Sequence, residues 1–269
     1  MFEHILVALN DPADSEMLLP VIRKIARNGS RVTVMQSAPF LETLAEMPGE
    51  LSPELHGDDE TAETSVTAVV SRLKSEGISA DGFTDIGQSG LIIAAAAERI
   101  DASLILLPLR HPRWILALHR ISPIPILAVP SGPRNCSSQI LVPIEDRNSL
   151  EAIPYAALLA RTFRVGITFV GTAAQTLLPE ARERAHRELA TTEVTLIADD
   201  LASTLPALPA VMIVMKTSSE EVVTQLVRGS RCPLLLIRRP MAPASGSPPA
   251  THQARSAPWY RPMEGVGEP

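Results

Sequence analysis

Uninterrupted apolar runs alternate with stretches whose apolar positions recur every three or four residues, and this alternation continues to about residue 239. Ile5-Leu6-Val7-Ala8-Leu9 has no polar position, as expected of a parallel strand buried on both faces. Met17, Leu18, Val21, Ile22 and Ile25 then form a helical stripe, which Asp14 or Ser15 could cap and Asn28-Gly29 would stop. The same pattern predicts strands over 31–35, 82–86, 103–107 and 124–129, with helices over 65–75, 90–100 and 113–120. Strands separated by helices imply a parallel sheet with right-handed crossovers and helices on both faces. The first half is therefore read as a doubly wound α/β domain.

The second half repeats this order. Strands are predicted over 140–144, 165–170, 194–197, 210–215 and 234–237, and helices over 149–162, 179–190 and 219–228. Its opening Ile140-Leu-Val-Pro-Ile144 echoes Ile5 to Leu9, and Arg228-Gly-Ser230-Arg-Cys-Pro233 echoes Arg120-Ile-Ser122-Pro-Ile-Pro125. So long a period points to two copies of one domain rather than to a solenoid. Between matching landmarks the copies differ in length: 115 positions separate Ile5 from Arg120, but only 88 separate Ile140 from Arg228. Pro206 and Pro209 predict a loop rather than a helix over 201–209, so the second copy is the shortened one.

The extra length of the first copy is assigned to residues 40–64. This stretch holds eight Asp or Glu residues and no Lys or Arg, and Pro48, Gly49, Pro53 and Gly57 argue against a long helix. It is read as a solvated acidic insertion. The thirty residues from Pro240 contain seven prolines and almost no aliphatic side chains, which predicts a disordered tail. Trp259 and Tyr260 are its only aromatic residues. The organisation expected is thus a domain over 1–133, a second over 137–239, and a tail over 240–269.

Composition narrows the choice of partners. A net charge of −6 and nine aromatic residues in 269 disfavour a polyanion, so nucleic acid is not expected. The chain has no apolar run long enough to span a bilayer and no basic leader after Met1, which predicts a cytoplasmic protein without a membrane partner. Cys136 and Cys232 are too few for a disulfide framework or a zinc site.

Three segments carry a family likeness. They are Ile5-Leu-Val-Ala-Leu-Asn10, the turn at Gly87 leading to Asp101-Ala-Ser-Leu-Ile-Leu-Leu107, and Ser122-Pro-Ile-Pro-Ile-Leu-Ala-Val-Pro130. Together they resemble the universal stress protein domain, and Ile140 to Glu145 with Ser230 to Ile237 resembles a second copy. The resemblance implies two tandem five-stranded sheets of the adenine nucleotide alpha hydrolase-like kind. It also implies that the fifth strands, 124–129 and 234–237, pair within the chain, with a homodimer beyond that left open.

Nucleotide-binding members of that family wrap the phosphates in a loop patterned G-x2-G-x9-G-S/T after the fourth strand, and place an Asp at the end of the first. Glycine suits such a loop because backbone amides must converge on the anion without a Cβ in the way. Here the corresponding segments, 108–119 and 216–227, contain no glycine, and only 13 positions separate Leu107 from Arg120 or Met215 from Arg228. The first-strand Asp is replaced by Asn10 in one copy and Glu145 in the other. Gly229-Ser230 lies too close to the fifth strand to stand in for the end of the motif.

The other candidate chemistry is weak. His111 and His119 lack a third metal ligand, Asp199-Asp200 reads as a strand end, and Ser122 and Ser230 read as turn or cap residues without a nucleophile elbow. The expected function is a non-catalytic regulatory or interaction module in the stress response, with no cofactor and no metal. The alternative is an ATP- or AMP-binding sensor, or a weak ATPase, with a rebuilt site at Asn10, Val34, Gly87, Arg110 and His111.

Overall fold

The structure, a computed structural model, describes residues 2–26, 29–38, 55–86, 89–132, 138–171, 174–188, 192–195, 205–217 and 219–238. In the first half, strands β1 (His4–Leu9), β2 (Arg31–Ala38), β3 (Ser79–Ile86), β4 (Leu104–Pro108) and β5 (Ile126–Val129) alternate with helices α1 (Asp14–Ile25), α2 (Leu55–Ser75), α3 (Ser89–Arg99) and α4 (Pro112–Ile121). The second half contributes β6 (Gln139–Pro143), β7 (Gly166–Val170), β8 (Thr192–Thr195), β9 (Met212–Lys216) and β10 (Leu234–Ile237), with α5 (Ile153–Phe163), α6 (Ala174–Arg187) and α7 (Glu220–Gly229). A 3₁₀ turn over Arg147–Ala152 leads into α5, and another over Leu205–Ala207 precedes β9.

Among the described residues the strands form one ten-stranded sheet in the order β3-β2-β1-β4-β5-β10-β9-β6-β7-β8. Each half is parallel and doubly wound. The halves meet where β10 runs antiparallel to β5, with Leu235 opposite Leu127. Because strand side chains alternate between faces, the apolar runs feed two layers at once. Ile5, Val7, Val34 and Leu106 share one layer with Val142, Phe169 and Val214, whereas Leu6, Ala8, Ile105 and Leu107 share the other with Ile213, Met215 and Leu226. Both layers cross from one half to the other. Helix α1 meets α5 on one side of the sheet and α4 meets α7 on the other.

Four local expectations need correction. Helix α2 starts at Leu55, not at residue 65, and runs through Gly57. Its buried stripe runs through Ala62, Val66, Val69, Val70 and Leu73. Helix α6 starts at Ala174 and carries Pro179 inside it rather than at its start, forgoing one backbone hydrogen bond. Asp14 is the first residue of α1, preceded by Ala13 at the cap. The helix expected to begin at residue 149 opens as the 3₁₀ turn from Arg147, set by a capping box in which Asp146 accepts from the Ser149 N–H. The remainder of the acidic insertion, residues 40–54, and the tail from Pro240 lie outside the described residues.

Candidate functional site

In a doubly wound sheet, ligands bind outside the carboxyl ends of the strands where the strand order reverses. In the first half that point lies between β1 and β4, which pair directly through Val7 and Leu106. Beyond β1 the chain turns at once into α1, and the Asp14 side chain reaches back under the turn. One of its oxygens accepts from the backbone N–H of Asn10 at 2.9 Å and of Asp11 at 3.0 Å. The other pairs with the Arg110 guanidinium, which also lies 3.6 Å from Asp11. Asp14 is only 1% exposed, so the cation from the β4 side is what compensates its buried charge.

A second tie lies beside the first. The Asn10 amide N–H donates to His111 Nε2 at 3.2 Å, and the His111 ring stacks on Trp114 with centroids 4.5 Å apart. Asn10, Arg110 and His111 therefore do come together, held by the protein itself. Val34 stands apart: it is fully buried in the middle of β2, in the layer beneath α1 and α2. Gly82 of β3 lies against it so tightly that a Cβ there would sit 2.9 Å from the Val34 carbonyl oxygen and 2.4 Å from Val66. Gly87 lies outside the described residues.

Three backbone donors along the link have acceptors within the protein. The Leu109 N–H donates to the Val129 carbonyl at 2.6 Å, Pro112 has no N–H, and the amides of Trp114 and Ile115 both donate to the His111 carbonyl. Helix α4 begins four residues after β4 ends.

The second half keeps the same scaffold with different residues. Ser149 stands where Asp14 stands in the first copy, and its Oγ accepts from the backbone N–H of Glu145 at 3.2 Å and of Asp146 at 3.3 Å. Glu145, the counterpart of Asn10, accepts a hydrogen bond from Thr217 Oγ1 at 3.0 Å, again tying the first strand of the half to the link after its fourth. Lys216, 4% exposed, reaches Glu151. Thr217 Oγ1 accepts from the Ser219 N–H at 3.0 Å, and Ser219 caps α7 by accepting from Val222. Burial raises the Asp146 carboxyl, but hydrogen bonds from Asn148 and Ser149 outweigh it and hold the group below its ordinary range.

The remaining candidates hold no joint site. Ser122 and Ser230 follow α4 and α7, and each hydroxyl accepts from the backbone N–H two residues on, from Ile124 and Cys232. Asp199 and Asp200 lie outside the described residues. Among the described residues no three His, Cys, Asp or Glu side chains are grouped to hold a metal ion. The ties Asp14–Arg110 and Thr217–Glu145 were not read from the sequence. The signal for them was the equal spacing of the two links, which places their residues opposite the ends of β1 and β6.

Comparison with known proteins agrees with this architecture. No family model matches the chain, and no curated protein matches it. Among solved structures, a universal stress protein from Archaeoglobus fulgidus DSM 4304 superposes with a TM-score of 0.70 at 14% identity, covering 88% of this chain and 96% of its own. A functionally unknown protein from Pseudomonas aeruginosa PAO1 gives 0.60 at 15% identity, covering 88% and 92%. The cytoplasmic domain of a prokaryotic cation chloride cotransporter gives 0.56 at 12% identity, covering 88% and 95%. The chain has the tandem fold of the universal stress proteins. Among the described residues no helix is long and apolar enough to cross a membrane.

Proposed function

We propose that this protein is a non-catalytic, cytoplasmic regulatory module of the universal stress protein type, acting through a protein partner and not gripping ATP through a glycine-rich loop. The observation that carries this reading is the double tie across the first switch point, Asp14 to Arg110 and Asn10 to His111, in a link without glycine. A triphosphate entering there would have to displace a buried ion pair and the Asn10–His111 hydrogen bond. The corresponding tie of Thr217 to Glu145 gives the second half the same character, with an acidic side chain where an anion would bind.

The cation chloride cotransporter likeness supports the idea of this fold as a module within larger machinery. A net charge of −6 makes a protein a better partner than a nucleic acid.

A nucleotide-binding sensor or weak ATPase is the second reading, favoured by one observation: Asn10, Arg110 and His111 converge at the crevice where such sheets bind ligands. The two readings part on turnover and on retained ligand. The purified protein, denatured and chromatographed, should release no adenine nucleotide, and phosphate release from added ATP should stay at the buffer rate. Stoichiometric nucleotide in the denatured supernatant, or turnover lost in Arg110→Ala, would favour the sensor.

A further inference from the structure

His119, the eighth residue of α4, lies where the two halves dock on one side of the sheet. Its side chain is 7% exposed, and Nδ1 is buried with no hydrogen-bond partner among the described residues. Helix α4 meets α7 here, and Leu118 shares an apolar layer with Val223, Leu226 and Val227. The charges around the imidazole come from several elements. Arg238 approaches from the segment after β10 and Glu220 from the start of α7, and the imidazole also hydrogen-bonds the Thr217 backbone just past β9, a contact that favours its charged form.

On its own helix, Arg120 pairs with that same Glu220 across the halves. Strand β5, also packed on α4, is wholly apolar, and α3 meets α4 through Gly90 against Ala117 while carrying Glu98 and Arg99 at its far end.

A neutral imidazole suits this position and a charged one does not. Protonation would put a cation in an apolar seam beside Arg238 and give Nδ1 a hydrogen with nothing to accept it. Glu220 cannot offset this fully, because it is already engaged by Arg120 at the surface. We propose that His119 is an acid-sensitive latch between the two halves: gaining a proton loosens the docking of α4 on α7. Burial first, and Arg238 second, hold its titration below the ordinary 6.5. A histidine lowered in this way contributes stability that is complete above 6.5 and is lost as pH falls from there through the lowered value. Loosening therefore belongs to mild acid, below 6.5.

Burial also lowers His4, whose Nε2 bonds Thr33 Oγ1 on the first-half side of the sheet, so the readout has to be local. Amide hydrogen exchange of the full chain, corrected for intrinsic rates, should show protection in α4 and α7 falling severalfold between pH 7.5 and 5.5. In His119→Gln, which cannot gain the charge, that pH dependence should vanish, whereas His4→Gln should keep it. Unchanged protection in the wild type, or the same loss in His119→Gln, would overturn the proposal. Should His119→Gln fail to fold, imidazole titration by NMR in the wild type decides. A His119 signal that titrates together with the loss of α4 and α7 protection supports the latch; one that titrates independently of it, or does not titrate above pH 5, overturns it.

Discussion

The side-chain amide of Asn10 lies 3.2 Å from Nε2 of His111, so one hydrogen bond links the end of β1 to the residue preceding α4 in the first half. The Thr217 to Glu145 bond does the same for the second half at 3.0 Å. Both bonds lie at the carboxyl ends of the strands, where a doubly wound sheet ordinarily binds a ligand.

The hub of the first tie is Asp14, which holds two backbone amides and one guanidinium while almost fully buried. Asp14→Ala should destabilise the protein by about 3 kcal/mol, because it strands two donors and a cation. Asp14→Ser copies the arrangement at Ser149 and should recover about 1 kcal/mol of that loss by keeping an acceptor for the amides. Urea unfolding of both variants checks the order; a serine variant no more stable than the alanine one would contradict it.

Gly82 is wedged between β2 and α2. Gly82→Ala should cost about 1–3 kcal/mol, since the new methyl meets the Val34 carbonyl and Val66 and one of them has to move. Gly77, with positive φ and open space around it, should lose about 1 kcal/mol on substitution by alanine, through backbone strain rather than clash. Thermal melts of the two variants should therefore rank Gly82→Ala below Gly77→Ala.

Lys216 is buried at the end of β9 while its partner Glu151 is half exposed. Removing the partner leaves an uncompensated buried cation, whereas removing the lysine itself leaves a solvated carboxylate. Glu151→Ala should lower the melting temperature more than Lys216→Met, which should stay within about 1 kcal/mol of the wild type. The reverse order would show that the pair is not what keeps Lys216 inside.

Acid should act on the turn after β6 at much lower pH than on His119. Asp146 is held below its ordinary 3.8 by hydrogen bonds that outweigh its burial, so its contribution is complete above that value and is lost as pH falls through the lowered one. Asp146→Asn should therefore flatten the pH dependence of stability below about pH 4 and leave it unchanged near neutrality. Denaturant midpoints across that range provide the check.

The strands and their order were legible because buried parallel strands are written as continuous apolar runs, as in Ile5 to Leu9 and Leu234 to Ile237. Helix starts were less so. Gly57 and the acidic residues after it looked like a break, yet α2 passes through them, since helix continuity there is decided by packing further along at Ala62 and Val66. Pro179 suggested a first turn and instead sits within α6. Of the site, the lack of glycine in both links could be read directly, and so could the individual residues Asn10, Arg110 and His111. That Arg110 spends its charge on Asp14 could not, because a contact between residues so far apart along the chain leaves no periodic trace in sequence. Nor could the register that sets Val34 opposite Val7 and Gly82, which appears only when β1, β2 and β3 are aligned.

Isothermal titration of the full chain with ATP, and separately with AMP, tests most directly the proposal that the first switch point does not grip a nucleotide. Heats no larger than those of dilution, up to millimolar nucleotide, are the expected result. Micromolar binding that weakens in Asn10→Ala or Arg110→Ala would contradict it.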